Sequence, residues 1–445
     1  MQLYKIEKMD FSKIDKETLG KALEREAFSE VLVTSAYPEY LYWDKFKYKK
    51  LPEGTPAEVW WAAVKLFRDA IPRSKGPAKT EDGNVFSWLR FMPGLDEFLH
   101  IIDIKLGGSI IGNAKDLSEY KKGQLIIRGV MDESIASSQL EGAVTTRKVA
   151  KQMLREKRKP KTTSEQMILN NYETMLFVEN EAKDRKLDEN LLLTLHSMLT
   201  TKTLEKESDA GKLRDISDEI EVRDHYNEWI YHVAPNIDFA KTELDKLYDF
   251  ANDELDLGGF IHPVIKAIVL HFWIGYLHPF VDGNGRLARI IFYWYLLRKG
   301  YWQISFLPLS KGIKSAAAQY KMAYVYSEQD NFDLTYFIDF NVRKLKVALD
   351  EFEKYLKKEQ AESSLVSKVL VGKYNLNERQ IRLVRYLQSN KNEQVTIKNH
   401  MVVNNITRIT AVKDLEGLTK LGFVIKNRSG KKNVYYAGNE IEKLL

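Results

Sequence analysis

Apolar positions recur at helical spacing over most of the chain, and the places where that spacing stops divide it into segments. Over 262–277, Ile265, Ile268, Val269, Phe272 and Tyr276 keep the period and predict a helix, and 287–299 predicts a second. What lies between them is polar and glycine-bearing, so it reads as a helix-loop-helix corner. Upstream, the same period predicts helices over 124–155, 164–186 and 188–200. Over 211–235 the pattern changes: Ile220-Glu221-Val222 and Tyr231-His232-Val233 are strand-prone flanks around a polar middle. Downstream, 333–358 predicts a long amphipathic helix, followed by a charged, serine-containing connector over 357–373.

The two ends differ from this middle. Residues 1 to about 115 carry Trp43, Trp60, Trp61, Phe67 and Trp88 in helically spaced segments interrupted by stretches such as Leu51-Pro52-Glu53-Gly54. Aromatics at that spacing belong to a core, and no chemistry is assigned to them. At the other end, helices are predicted over 378–388, 395–402 and 407–421. Two strand signals follow, Phe423-Val424-Ile425 and Val434-Tyr435-Tyr436, flanking a basic turn.

Composition adds limits. A chain of 445 residues suggests two to four domains, and 44% hydrophobic with 29% charged residues is the balance of a soluble globular protein. No apolar run reaches about 18 residues, so no membrane span or membrane partner is expected. The first residues lack the basic-then-apolar order of a signal peptide. Zero cysteines exclude disulfides, thiolate zinc sites and thiol nucleophiles, which fits a cytoplasmic protein. The net charge of +6 is uneven: 371–445 holds fourteen Lys/Arg against six Asp/Glu, a surplus of eight, leaving −2 elsewhere.

The corner, His278-Pro279-Phe280-Val281-Asp282-Gly283-Asn284-Gly285-Arg286-Leu287-Ala288-Arg289, has residue types that suit one task. Gly283 and Gly285 let backbone N–H groups approach a ligand where the next helix presents its positive dipole end. Arg286 and Arg289 put two guanidiniums on that helix's first turns, where they oppose the dipole unless an anion joins them. Two guanidiniums with amide donors suit a polyphosphate. Asp282 offers a hard oxygen for the Mg2+ that accompanies a nucleoside triphosphate. His278 is the group able to accept a proton near neutrality. A bare G-x-G would be only a tight turn beside a core histidine and two surface arginines.

Nine specified positions of this stretch fit H-P-F-x-[D/E]-G-N-G-R-x-x-R, so the chain resembles the Fic (filamentation induced by cAMP) family. The resemblance covers roughly 125–345. It implies transfer of AMP from ATP to a Ser, Thr or Tyr hydroxyl of a protein, with release of pyrophosphate. Carried over, His278 is the general base and Asp282 the Mg2+ ligand. Phe280, the Gly283–Gly285 amides, Asn284, Arg286 (β-phosphate) and Arg289 (γ-phosphate) bind the nucleotide.

Ser137-Ser138-Gln139-Leu140-Glu141-Gly142 fits the family's inhibitory pattern [S/T]-x-x-x-E-[G/N]. Of five Glu-Gly or Glu-Asn pairs, only Glu141-Gly142 has Ser or Thr four residues earlier, and it lies upstream of the corner as in one regulatory class of the family. A Glu141 carboxylate on Arg289 would take the partner needed by the γ-phosphate and repel that phosphate. The 211–235 segment corresponds to the family's flap, with Ile220 and Val222 as target-docking residues through strand-like pairing. His196 and Arg214 read as structural. After the corner the family often carries Ser-x-x-Ile and a Tyr-Tyr pair; here Ser310, Ile313 and Tyr320 fit, and Lys321 replaces the second tyrosine.

The expected fold is mainly α. A 1–115 helical extension precedes a 116–160 inhibitory segment and a 161–345 Fic-type helical core with a small β-hairpin flap. A 346–374 helical linker and a 375–445 winged helix-turn-helix complete it. In that last domain Thr407, Arg408, Thr410 and Lys413 would face a DNA major groove, with Arg428, Lys431 and Lys432 along the wing; a protein-contacting winged helix is the plainer alternative. The expected function is an autoinhibited protein adenylyltransferase acting on a protein substrate, which could be itself, with homodimers known among such relatives. The alternatives are transfer of another phosphate-linked group, removal of AMP with Glu141 positioning water, and a nucleotide-sensing DNA-binding regulator.

Overall fold

The computed structural model describes residues 2–107, 119–223, 229–389, 393–429 and 432–442. It comprises two compact units, Met1–Asp350 and Glu351–Leu445. The first is helical around a buried pair, α11 (Pro263–Leu277) and α12 (Asn284–Arg298). Nearly every residue of both is buried, so neighbours cover the two helices all round. Pro263 occupies the first turn of α11, where a missing N–H costs nothing, and His262 caps it.

The covering elements are α6 (Glu119–Leu140), α7 (Arg147–Glu156), α8 (Thr163–Phe177), α9 (Glu189–Thr200) and α10 (Ile237–Ala251), with α13 (Leu309–Lys314) and α14 (Ala317–Gln329) beyond the corner. Asp188 caps α9 by accepting from Leu191 N–H at 2.7 Å, and Asn236 caps α10 in the same way. α6 comes so close to the turn after α12 that a Cβ on Gly129 would collide with the Ser305 carbonyl. The flap is the antiparallel pair β3 (Glu221–Arg223) and β4 (Ile230–Val233), with Val222 opposite His232.

Residues before α6 form α1 (Lys16–Glu24), α2 (Ala27–Ala36), α3 (Trp43–Phe46), α4 (Ala57–Ala70) and α5 (Leu95–Ile102), together with a hairpin, β1 (Arg73–Lys79) and β2 (Val85–Leu89). The extension is therefore not wholly helical: Trp88 lies on β2, and the Thr80–Gly83 turn that makes the hairpin interrupts the helical period. Trp43, Trp60 and Trp61 are core residues as expected, but Phe67 is 41% exposed on the outer side of α4.

The second unit begins within α15 (Thr335–Tyr374) and continues with α16 (Glu378–Ser389), β5 (Val395–Thr396), α17 (Ile397–Asn404), α18 (Arg408–Lys420) and the hairpin β6 (Val424–Ser429) and β7 (Lys432–Ala437). The sheet order is β5-β7-β6. Leu383, Val384, Leu387, Leu415, Leu418, Phe423 and Tyr435 form its core. Asp414, nearly buried, accepts from Arg379 Nε (2.8 Å) and Asn377 Nδ2 (2.9 Å) and lies 3.2 Å from His400 Nε2.

Three segment expectations change, and a fourth stretch, the charged connector, runs on as part of α15. The stretch 124–155 is two helices, because Gly142 takes φ +93° just after α6 and Thr146 then caps α7. The 357–373 connector is helix: its Lys, Glu and Gln residues are good helix formers, and Gly372 is the sole glycine or proline in α15. The predicted helix over 164–186 ends at Phe177 and passes into a wider turn, Val178–Ala182. Val395 and Thr396 pair with Tyr435 and Val434, so the 395–402 helix starts at Ile397. Tyr293, Trp294 and Tyr295 cannot share one side, yet all three are buried, because α12 is covered on all sides. The expected boundary at 115/116 lies outside the described residues.

Candidate active site

The corner between α11 and α12 is held from three directions. From α9, His196 donates Nε2–H to the Asp282 carbonyl (2.8 Å) and accepts the Gly211 N–H on Nδ1 (3.0 Å), which fixes its tautomer. Its ring stacks on Phe280 at 3.7 Å. Burial pushes its pKa down to about 4, so it is a neutral clamp. From the segment before the flap, Arg214 donates Nε–H to the His278 carbonyl (2.8 Å) and its N–H to the Pro279 carbonyl (3.0 Å), and also bonds the Pro235 carbonyl. Within the loop, Asn284 accepts the Phe280 N–H (3.1 Å) and donates to the Phe280 carbonyl (2.8 Å).

His278 closes α11 in a left-handed conformation, φ +42°. Its Nδ1 faces the Gly275 carbonyl, an acceptor only, so Nδ1 carries the proton and Nε2 keeps its lone pair. Burial is the main cause of a pKa lowered to about 4, with a further push from the neighbouring His232. At neutral pH the ring is an unprotonated base.

Across the loop, Gly283 is the N-cap of α12 at φ +87°, and a side chain there would meet Thr200. Asp282 accepts the Gly283 N–H at 2.5 Å and lies 3.5 Å from Arg286, while its side chain stays 56% exposed. Arg286 is fully buried; Nη1 donates to the Leu199 carbonyl (2.9 Å), and Nε has no partner. Arg289, 1% exposed, donates Nε–H to Ser137 Oγ (2.8 Å) and Nη2–H to the Ser137 carbonyl (3.0 Å) and to Glu141 Oε1 (2.8 Å).

Glu141 follows the last turn of α6, and Gly142 beside it has the positive φ that lets the chain leave there. Its carboxylate lies against Gly285, where any Cβ would collide with it. Burial would raise the Glu141 pKa, but the Arg289 guanidinium outweighs it and holds the group below the usual carboxylate range. Arg289 is correspondingly raised.

The corner thus brings together His278, Asp282, Gly283, Gly285, Arg286 and Arg289, and α6 adds Ser137, Glu141 and Gly142. Phe280 is fully buried, and its ring and the Asn284 amide contribute through the loop's shape. Ile220 and Val222 lie at the start of the flap, half-buried, with the Ile220 carbonyl bonded to Ala234 N–H. Sequence reasoning missed Glu133, one turn before Ser137 on α6. It is buried, bonded to Tyr293 OH (2.9 Å), Ser310 N–H (2.8 Å) and Ser310 Oγ, and so fastens α6 to α12 and α13. Its unusual burial has no local signal in the sequence. In the second unit Arg408, Lys413 and Arg428 are exposed; Lys431 and the Lys432 side chain lie outside the described residues.

Residues 186–296 match the Fic/DOC family. That stretch is similar to Fic domains. Over 70 residues it is 34% identical to Protein adenylyltransferase Fic of Drosophila willistoni, covering 16% of this chain and 14% of that protein. Over 64 residues it is 34% identical to Protein adenylyltransferase fic-1 of Caenorhabditis elegans, covering 14% and 12%. The chain therefore spans only about one-seventh of the length of these relatives. Among solved structures, a Fic family protein from Desulfovibrio desulfuricans G20 shares the fold with a TM-score of 0.51 at 18% identity, over 78% of this chain and 97% of that one. The mainly helical Fic architecture expected for the chain is borne out. Among the described residues, no helix is long and apolar enough to cross a membrane.

Proposed function

We propose that the chain is an autoinhibited protein adenylyltransferase. The observation that carries this reading is a single loop that joins an unprotonated His278 Nε2, a helix N-terminus and two buried guanidiniums, one of them held by the Glu141 carboxylate from α6.

In this reading the α12 amides and Arg286 receive the phosphates of ATP; the partnerless Arg286 Nε is a donor for an arriving anion. Asp282 fits Mg2+ as a single exposed carboxylate, since that ion needs only one or two carboxylates beside phosphates and water. Bound there, Mg2+ would neutralise charge on the phosphates. A target hydroxyl oxygen attacks the α-phosphorus, the bond from that phosphorus to the bridging oxygen breaks, and pyrophosphate departs. His278 Nε2 takes the hydroxyl proton. The Glu141 carboxylate, while it holds Arg289, withholds the γ-phosphate's partner.

The target is a protein segment with a Ser, Thr or Tyr hydroxyl, registered along the flap by Ile220 and Val222. The 375–445 region is proposed to bind double-stranded DNA through Arg408, Lys413, Arg428, Lys431 and Lys432.

Incubating the parent, Glu141→Gly and His278→Ala proteins with each α-labelled nucleoside triphosphate and Mg2+ tests the reading. Label from ATP alone, strong in Glu141→Gly and absent in His278→Ala, is the expected result. Equal labelling by parent and Glu141→Gly would overturn the brake, and labelling by His278→Ala would overturn the base.

A further inference from the structure

His232, on the flap strand, meets two oxygens: Nδ1 lies 2.8 Å from Glu328 Oε2 on α14, and Nε2 lies 2.8 Å from the Tyr276 carbonyl in the last turn of α11. A carbonyl only accepts, and a carboxylate beside a ring nitrogen favours a proton on that nitrogen, so both nitrogens carry hydrogen and the ring is an imidazolium. It is 7% exposed, and its centroid lies 5.6 Å from that of His278. A cation at the C-terminal end of a helix is in its favoured place.

We propose that His232 and Glu328 form a positioning pair for the transfer reaction, in which the charged flap histidine caps the end of α11 and holds His278 in its reactive place and form. The inference rests on the reading of His278 as the base.

The groups facing His278 are the cationic His232 of β4, the cationic Arg214 before the flap, the anionic Glu141 after α6 and the Gly275 carbonyl. Two cations outnumber one anion, and burial acts in the same direction, so the ring stays unprotonated well below neutrality. Glu328 is what keeps this charge in place: burial alone would strip the proton from His232, and the carboxylate overcomes it, leaving the His232 pKa raised. The pair also couples the flap to the catalytic corner. A flap shifted by a docking segment moves the cation that faces the base.

The test follows imidazole resonances by NMR in Glu141→Gly protein and in the same protein carrying His232→Gln or Glu328→Gln. His278 is assigned by its loss in His278→Ala. Both variants keep hydrogen-bonding amides at the altered position, and thermal melting with ATP binding reports that they are folded. The expected result is an upward move of the His278 midpoint by about one pH unit. The acid limb of AMP transfer should move with it, with kcat reduced and KM for ATP near its starting value. An unmoved His278 midpoint in folded variants would overturn the pairing. Failure of the base assignment shows separately, as transfer that survives His278→Ala.

Discussion

In the proposed reading, Arg289 is the residue for which Glu141 and a phosphate compete. Its guanidinium is buried, so removing the Glu141 carboxylate leaves it with Ser137 but without a counter-charge until a phosphate arrives. Glu141→Gly should therefore melt several degrees lower than the parent without nucleotide, for a loss of about 1–3 kcal/mol. Saturating Mg2+ and ATP should recover most of that, because a ligand that binds only the folded state stabilises it by mass action. A differential scanning measurement with and without nucleotide checks both halves. Ser137 should behave differently: its hydroxyl accepts from Arg289 Nε, and Ser137→Ala should relax the brake less than Glu141→Gly, by roughly the 1 kcal/mol of one hydrogen bond.

Much of this chemistry could be read in the chain because it is local. Gly283, Asp282, Arg286 and Arg289 lie within about two turns of each other, so their spacing carries their geometry. Glu141 was legible by its distance from Ser137 along one helix. The His232–Glu328 contact was not, since its partners are 96 positions apart and neither stands in a recognisable pattern. The carbonyls of Leu199 and Ser137 that hold the two arginines are backbone atoms and leave no trace in residue type.

At the scale of elements, α6 is a lever fixed along its length, by Glu133 on Ser310 and Tyr293 and by Glu141 on Arg289. Glu133→Ala should loosen this attachment and raise AMP transfer without touching the catalytic corner; unchanged transfer by the folded variant would show that Glu141 alone sets the brake. The helix pattern located α6 but not its end, because the break depends on Gly142 adopting a left-handed conformation that glycine permits without requiring. The α15 helix is the converse: its charged residues read as a connector, although nothing in them stops a helix. On α18, Arg408 and Lys413 are exposed and Thr407 caps the helix start. Replacing Arg408 and Arg428 together by Ala should weaken duplex retention and flatten its salt dependence by about two phosphate contacts, measured by binding across a salt series.

For the molecule as a whole, buried histidines set the response to acid. His196 and His278 are lowered to about 4, and His271 is also depressed, in each case chiefly by burial. Between their folded values and the unfolded value of about 6.5, the unfolded chain binds more protons, so stability must fall as pH drops through that window. His232 has the opposite sign. Its raised pKa supplies stability that is complete below about 6.5 and is lost as pH climbs past the folded value. Urea unfolding followed from pH 4 to 8 should show the three lowered histidines dominating, with the midpoint rising from pH 4 towards neutrality.

The narrow gap at Gly129 has a consequence of its own. Because the Ser305 carbonyl stands where a methyl group would go, Gly129→Ala must pry the lever outward, although it deletes no contact and adds one carbon. In the proposed reading, AMP transfer by folded Gly129→Ala should rise above that of the parent, as in Glu141→Gly. Gly129 therefore matters to the setting of α6 although it carries no reactive group, and no scan of side-chain chemistry would flag it.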